Sequence, residues 1–185
     1  MILYIHGFAS CGDSTKTRLL RAHFGDEELL APDLPVEPDA AMALLEHLVA
    51  DNDVSLLIGS SLGGFYATAL SHKSGLPAVL INPSCHPYRT LAPYVGENDY
   101  WCSDETFEWK GEYLLQLARI AEQMNLPDTE LLVLLQSGDE VLDYRVAADV
   151  YEAYLVIVEE GGNHRFENLA DYLDRIGEFY ERVAR

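Results

Sequence analysis

Basic residues are scarce in this chain: 12 Lys and Arg stand against 31 Asp and Glu, a formal charge of −19. Binding a phosphate backbone needs clustered cations, so nucleic acid is excluded as a partner class. The same charge repels anionic lipid surfaces, and no apolar run reaches the roughly 20 residues that cross a bilayer, so no membrane partner is expected. Cysteine is nearly absent. Cys11, Cys85 and Cys102 are odd in number and widely spaced, which fits neither a disulfide framework nor a zinc site. Reduced thiols in a cytoplasmic protein are therefore expected. The opening Met1-Ile-Leu-Tyr-Ile has no basic n-region and no cleavage signature, so no signal peptide is expected. Internal repeats and low-complexity tracts are lacking too.

At 185 residues with 49% hydrophobic composition, the sequence is expected to form a single domain over 1–185 with a proper core. Its organising stretch is Gly59-Ser60-Ser61-Leu62-Gly63. The apolar run Val54 to Ile58 before it reads as a buried strand; Leu62 to Lys73 after it reads as a helix. Strand, Gly-x-Ser-x-Gly, helix makes a turn so tight that its flanks tolerate little beyond glycine. Such a turn lifts the Ser61 hydroxyl above the sheet edge, near the positive end of a helix dipole.

The remaining elements follow a regular rhythm. Strands are predicted at Ile2 to Ile5, Leu29 to Pro32, Pro77 to Ile81, Leu131 to Leu135 and Tyr154 to Val158. Helices are predicted at Lys16 to Phe24, Ala40 to Ala50, Gly111 to Met124, Val146 to Tyr151, and along the amphipathic C-terminal stretch from Leu169 to Tyr180. Alternation of this kind implies an α/β fold with a doubly wound parallel sheet of about six strands and helices on both faces. Ser84 to Trp109 breaks the rhythm, being aromatic and weakly periodic. It leaves the C-terminal end of a strand, where open α/β sheets bind ligands, so 84–110 is expected to be a short cap. Tyr88, Tyr94, Trp101 and Trp109 are its candidate pocket residues; a surface loop stapled down by its own aromatics is the alternative.

Three polar groups follow the ends of three strands: Ser61, Asp139 in Ser137-Gly138-Asp139-Glu140-Val141, and His164 in Gly161-Gly162-Asn163-His164. A serine hydroxyl needs an adjacent base, which a neutral imidazole supplies, and the imidazole needs a carboxylate to fix its tautomer. Asp143 rivals Asp139 for that carboxylate, with Glu140 third. Strand, then His6-Gly7-Phe8, is where an oxyanion loop would stand, with the backbone N–H groups of Phe8 and Leu62 as donors. His6 itself reads as a turn-holding histidine. Gly7 to Lys16 is not a phosphate loop, because Asp13 follows Gly12 where a lysine is required.

Together, Ile5-His6-Gly7-Phe8, Gly59-Ser60-Ser61-Leu62-Gly63-Gly64, Asn82-Pro83, Gly111-Glu112, Gly138 to Tyr144 and Gly162 to Phe166 resemble the small YqiA/YcfP-type esterases, compact members of the α/β-hydrolase superfamily. The resemblance runs nearly end to end. It implies an α/β-hydrolase-like fold and an esterase acting on short acyl esters and acyl-CoA thioesters, with Ser61 as nucleophile, Asp139 as acid and His164 as base. Asn163 departs from the pattern, which has an aspartate before the histidine.

The expected function is a serine carboxylic-ester hydrolase working through an acyl-enzyme on small or medium acyl esters, without metal or organic cofactor. An acyl-CoA thioesterase with the same three groups is one alternative; it requires cations such as Lys73, Arg89 or Lys110 to gather at the cap. A binding protein of the same fold that does no chemistry is the other. The sequence leaves the oligomeric state open.

Overall fold

A computed structural model describes residues 1–183 of the chain; the last two positions of the expected 1–185 domain lie outside the described residues. The elements are β1 (Ile2–Ile5), α1 (Thr15–Phe24), β2 (Leu29–Leu30), α2 (Pro38–Asp51), β3 (Leu56–Ser60), α3 (Leu62–Ser74), β4 (Ala78–Ile81), α4 (Pro87–Thr90), β5 (Gly96–Asp99), β6 (Thr106–Trp109), α5 (Gly111–Gln123), β7 (Leu131–Gln136), α6 (Tyr144–Val150), β8 (Leu155–Glu159) and α7 (Leu173–Val183). Six strands form one parallel sheet in the order β2-β1-β3-β4-β7-β8. Every residue of β1, β3, β4 and β7 is buried. Their unbroken apolar runs need cover on both faces, and the helices supply it. Leu20 of α1 and Ile176 and Phe179 of α7 pack on one face. Leu45 of α2, Phe65 of α3 and Leu117 of α5 pack on the other.

Several boundaries move from their predicted places. The third strand runs on through Gly59 and Ser60, because these residues pair with Leu80 and Ile81 of β4. The second strand shrinks to Leu29–Leu30 at the sheet edge. The second helix starts at Pro38, before its predicted first residue Ala40, and Asp39 in its first turn pairs with Arg119 of α5. Ser14 caps α1, accepting from the Thr17 N–H at 3.2 Å.

Residues 84–110 are not formless. They fold as α4, a short 3₁₀ turn at Ala92–Tyr94, and the antiparallel hairpin β5–β6 with Gly96 opposite Trp109. Weak periodicity hid the hairpin because its strands carry exposed polar residues on one side, such as Glu97 and Asp99. The hairpin rests on the loop after β1. Trp101 N–H donates to the Ala9 carbonyl at 2.8 Å, and the Phe8 ring meets Trp109, Phe107 and Tyr94 with centroids 5.1, 5.4 and 5.6 Å apart. The same two loops carry Cys11 and Cys102, which form a disulfide with Cα atoms 6.3 Å apart. That corrects the expectation of three reduced thiols. A separation of 91 residues gives no pairing signal in sequence, whereas two loops converging on one strand end bring the sulfurs together. Cys85 remains a free thiol, pushed up to about 12 by burial.

Candidate active site

Ser61 sits at φ 56°, ψ −119°, in a region that L side chains rarely adopt and that costs about 1–3 kcal/mol. Its surroundings over-determine it. Its N–H donates to the Ile81 carbonyl at 3.0 Å, and its carbonyl accepts from Gly64 at 2.9 Å and from Ser84 at 3.0 Å. Close packing behind the turn requires glycine: a Cβ on Gly63 would overlap the Ile5 carbonyl oxygen, and one on Gly59 the Gly63 carbonyl. The glycines of the motif therefore serve the approach of α3 to β1 and β3.

His164 lies on the loop after β8 and points back over the sheet edge. Its Nε2 stands 2.9 Å from Ser61 Oγ and its Nδ1 stands 2.8 Å from Asp139 Oδ2. The His164 side chain is 18% exposed and that of Asp139 only 2%. With the proton on Nδ1 donated to the carboxylate, Nε2 is free to accept from the Ser61 hydroxyl. Asp139 Oδ1 is also occupied, accepting the N–H groups of Val141 and Leu142 at 2.9 and 2.8 Å. One carboxylate thus forms the turn and orients the ring.

Asp143 stands elsewhere. It caps α6 by accepting the Arg145 N–H at 3.1 Å, and it pairs with the Arg145 guanidinium at 2.8 Å. Those two contacts hold its carboxyl below the usual range, the guanidinium contributing most. Glu140 has a role that residue type and spacing did not disclose: it accepts the backbone N–H of His164 at 3.0 Å, and that bond leads the causes that lower its pKa. Gly138-Asp139-Glu140 therefore grips both the ring and the backbone of His164.

Two further residues hold the His164 loop. Asn82, at the end of β4, donates from Nδ2 to the Asn163 carbonyl at 3.1 Å and accepts the Gln136 N–H on Oδ1 at 2.9 Å. Gln136 Oε1 accepts the Asn163 N–H at 2.9 Å. Asn163, where the family resemblance has an aspartate, donates from Nδ2 to Glu167 at 3.0 Å. A carboxylate there would face Glu167 with like charge, so the amide suits this chain.

The loop after β1 comes against the elbow: a Cβ on Gly7 would lie 3.1 Å from Ser61 Cβ. His6 holds that loop. Its Nε2 accepts the Leu34 N–H at 3.1 Å, which places its proton on Nδ1 facing the Gly7 carbonyl at 2.9 Å. Burial, the leading cause, keeps its pKa below the ordinary histidine value. Phe8 and Leu62 both line a narrow cavity of about 30 Å³. Of the four predicted pocket residues, only Trp109 lines it. Tyr94 touches Phe8 from outside with 46% of its surface exposed, Trp101 is 76% exposed, and Tyr88 packs beside His86. Aromatic content located the segment; the hairpin's pleat decided which rings turn inward. The walls that went unpredicted are Leu34, Pro35 and Val36 after β2, Tyr66 of α3, and Tyr100 and Phe107 of the hairpin.

Among the described residues no group of three or more His, Cys, Asp or Glu is placed to hold a metal ion, and no helix is long and apolar enough to cross a membrane.

The model of a family described as "Uncharacterised protein family (UPF0227)" matches residues 1–181. Relatives include a UPF0227 protein of Shewanella sp. strain MR-4, 27% identical over 188 residues that cover 97% of this chain and 98% of the relative. Another, from Serratia proteamaculans, is 27% identical over 191 residues with the same coverage. Among solved structures, Est1E of Butyrivibrio proteoclasticus with bound ferulic acid superposes with a TM-score of 0.75 at 13% identity, covering 100% of this chain and 89% of that one. The esterase domain of a Rhodothermus marinus protein gives 0.70 at 21% identity, covering 98% and 86%. A monoacylglycerol lipase of Paleococcus ferrophilus gives 0.69 at 13% identity, covering 98% and 94%. At these identities the likeness establishes an α/β-hydrolase fold.

Proposed function

The chain belongs to the UPF0227 family, and we propose that it is a serine carboxylic-ester hydrolase working through an acyl-enzyme on small or medium acyl esters. One observation carries this reading: the unbroken run from Ser61 Oγ through the His164 ring to a buried Asp139 carboxylate, at 2.9 and 2.8 Å. Ser61 Oγ attacks the ester carbonyl carbon as His164 Nε2 takes its proton. The imidazolium so formed is stabilised by Asp139, and the tetrahedral oxyanion by the N–H groups of Phe8 and Leu62. Collapse breaks the bond to the alcohol, which leaves with the proton from Nε2. A water then attacks the acyl-Ser61, giving its proton to His164, and the acid departs as Ser61 recovers its hydrogen.

The apolar walls of this narrow cavity favour a small acyl group. Phe8 and Leu62 line it, so a carbonyl oxygen held by their N–H groups directs the acyl chain among Tyr66, Phe107 and Trp109. A non-catalytic binding protein would have no use for a strained Ser61 or for a histidine gripped by both Asp139 and Glu140. The cations named for an acyl-CoA thioesterase do not gather. Lys73 pairs with Glu46, Lys110 lies beside Glu112 and Tyr113, and Arg89 lies over Tyr88.

Turnover of 4-nitrophenyl butyrate tests the reading. Ser61→Ala is expected to lower kcat by about 10⁴-fold or more while the circular dichroism spectrum stays that of wild type. Undiminished turnover in a clean preparation of the variant would contradict it.

A further inference from the structure

Cations are so few in this chain that their neighbours carry information. Most Lys and Arg side chains among the described residues are ion-paired, from Arg18 with Asp13 to Arg182 with Glu130. Lys16 and Arg165 have no carboxylate within 4.0 Å among the described residues, yet they stand together: Lys16 Nζ donates to the Arg165 carbonyl at 2.5 Å. Lys16 is partly withdrawn from water, and burial first, then the Arg165 charge, pulls its pKa down. Glu167 lies near enough to oppose that shift, but its carboxylate is engaged by Asn163 Nδ2 at 3.0 Å. The backbone carbonyl satisfies one Lys16 donor but neutralises neither cation, and their mutual repulsion is relieved only when an anion answers them.

Their place says what that anion is. Arg165 directly follows His164, and its guanidinium lies over the Trp101 ring, 5.4 Å from the centroid. Trp101 in turn donates its N–H to Ala9, next to Phe8. Lys16, Arg165 and Trp101 therefore form an arc from the His164 loop to the Phe8 loop. The apolar cavity is lined by other residues, including Leu34, Tyr66 and Trp109. In acyl transfer the group that receives its proton from the base departs past the base. A flat guanidinium resting on an indole keeps its forked donors available for a carboxylate or a phosphate.

We propose that Lys16 and Arg165 form an anion subsite for the leaving group, so that the preferred substrate is an ester or thioester whose alcohol or thiol carries a carboxylate or phosphate. The proposal rests on the hydrolase reading above. The net charge of −19 repels such a substrate at long range, and the local pair offsets that repulsion beside the His164 loop.

Two matched pairs of substrates test it. The carboxylate arm compares butyryl 4-hydroxybenzoate with the butyryl ester of methyl 4-hydroxybenzoate. The phosphate arm compares butyryl-4′-phosphopantetheine with butyryl-pantetheine. In each protein the readout is the ratio of kcat/KM for the anionic member to that for its neutral twin, so general losses cancel. Lys16→Gln and Arg165→Gln are each expected to lower the ratio by about tenfold, the worth of one charge-assisted hydrogen bond. Arg175→Gln, which removes the same charge from an exposed position on α7, is expected to leave it unchanged. A fall in one arm alone identifies the anion; a fall in both supports a general anion subsite. Unchanged ratios in both arms, or an equal fall in Arg175→Gln, would overturn the proposal. Fluorophosphonate labelling separates the two levels. A labelled Ser61 with unchanged ratios removes the subsite alone. An unlabelled, folded wild type that turns over none of the four substrates removes the hydrolase reading and the subsite together.

Discussion

The C-terminal edge of the sheet and the segment 84–110 meet at Phe8 and are built by opposite rules. The sheet edge is fixed from behind: β1, β3, β4 and β7 are buried throughout, and Ser61, Asp139 and His164 each carry several hydrogen bonds that set their positions. The β5–β6 hairpin is exposed and acidic, with Glu97, Asp99, Glu105 and Glu108 in solvent. It is held by an aromatic stack on Phe8, one backbone bond to Ala9 and the Cys11–Cys102 disulfide. The groups proposed to react need close placement, and they stand on the edge that is fixed from behind. A cavity wall needs only shape, and a hairpin supplies it without disturbing that edge.

If this division of labour holds, the largest effects belong to the sheet edge and separate two aspartates only four residues apart. Asp139→Asn keeps the geometry but favours the wrong histidine tautomer, and a loss in kcat of about 10³–10⁴-fold is expected. Asp143→Asn leaves the Ser61–His164–Asp139 contacts intact, so kcat is expected to stay within about twofold. Equal losses from both would break the comparison. On the hairpin the effect is smaller and of another kind. Phe107→Ala enlarges the cavity, and the preference for octanoyl over butyryl esters is expected to rise by about tenfold. Tyr88→Ala, outside the cavity, should leave that preference alone. A chain-length panel on both variants decides whether the wall is where the structure puts it.

The smallest effect is a pH dependence in the loop that joins the two regions. Burial is the chief cause that holds the His6 pKa below the ordinary histidine value of 6.5. Between that lowered value and 6.5 the unfolded chain binds a proton that the folded chain does not. The His6 contribution is therefore fully present above about pH 6.5 and is lost as pH falls through the window, by at most about 1.4 kcal/mol per pH unit. Urea unfolding from pH 7.5 to 5.0 is expected to show the stability difference between wild type and His6→Gln shrinking below pH 6.5. A difference independent of pH would place His6 in another protonation state.

Legibility followed the same division. The six strands, the helix layers and the approach of Ser61, Asp139 and His164 were readable because buried parallel strands are unbroken apolar runs and their ends are marked by Gly59, Gly138 and Gly162. The hairpin was not, since its strands face water and Gly96 and Trp109 are paired across a loop that leaves no periodic trace. Glu140 acts on a backbone N–H, and no residue-type argument finds such a partner. The Cys11–Cys102 pair and the Lys16–Arg165 contact join positions 91 and 149 residues apart, and only the folded chain places them side by side.

Labelling the purified protein with a fluorescent fluorophosphonate tests the central claim most directly, with wild type, Ser61→Ala and Asp143→Asn compared side by side and the modified peptide identified by mass spectrometry. A single adduct, on Ser61, is expected in wild type and in Asp143→Asn, and none in Ser61→Ala. No adduct on a folded wild type, or equal labelling of Ser61→Ala, would contradict it.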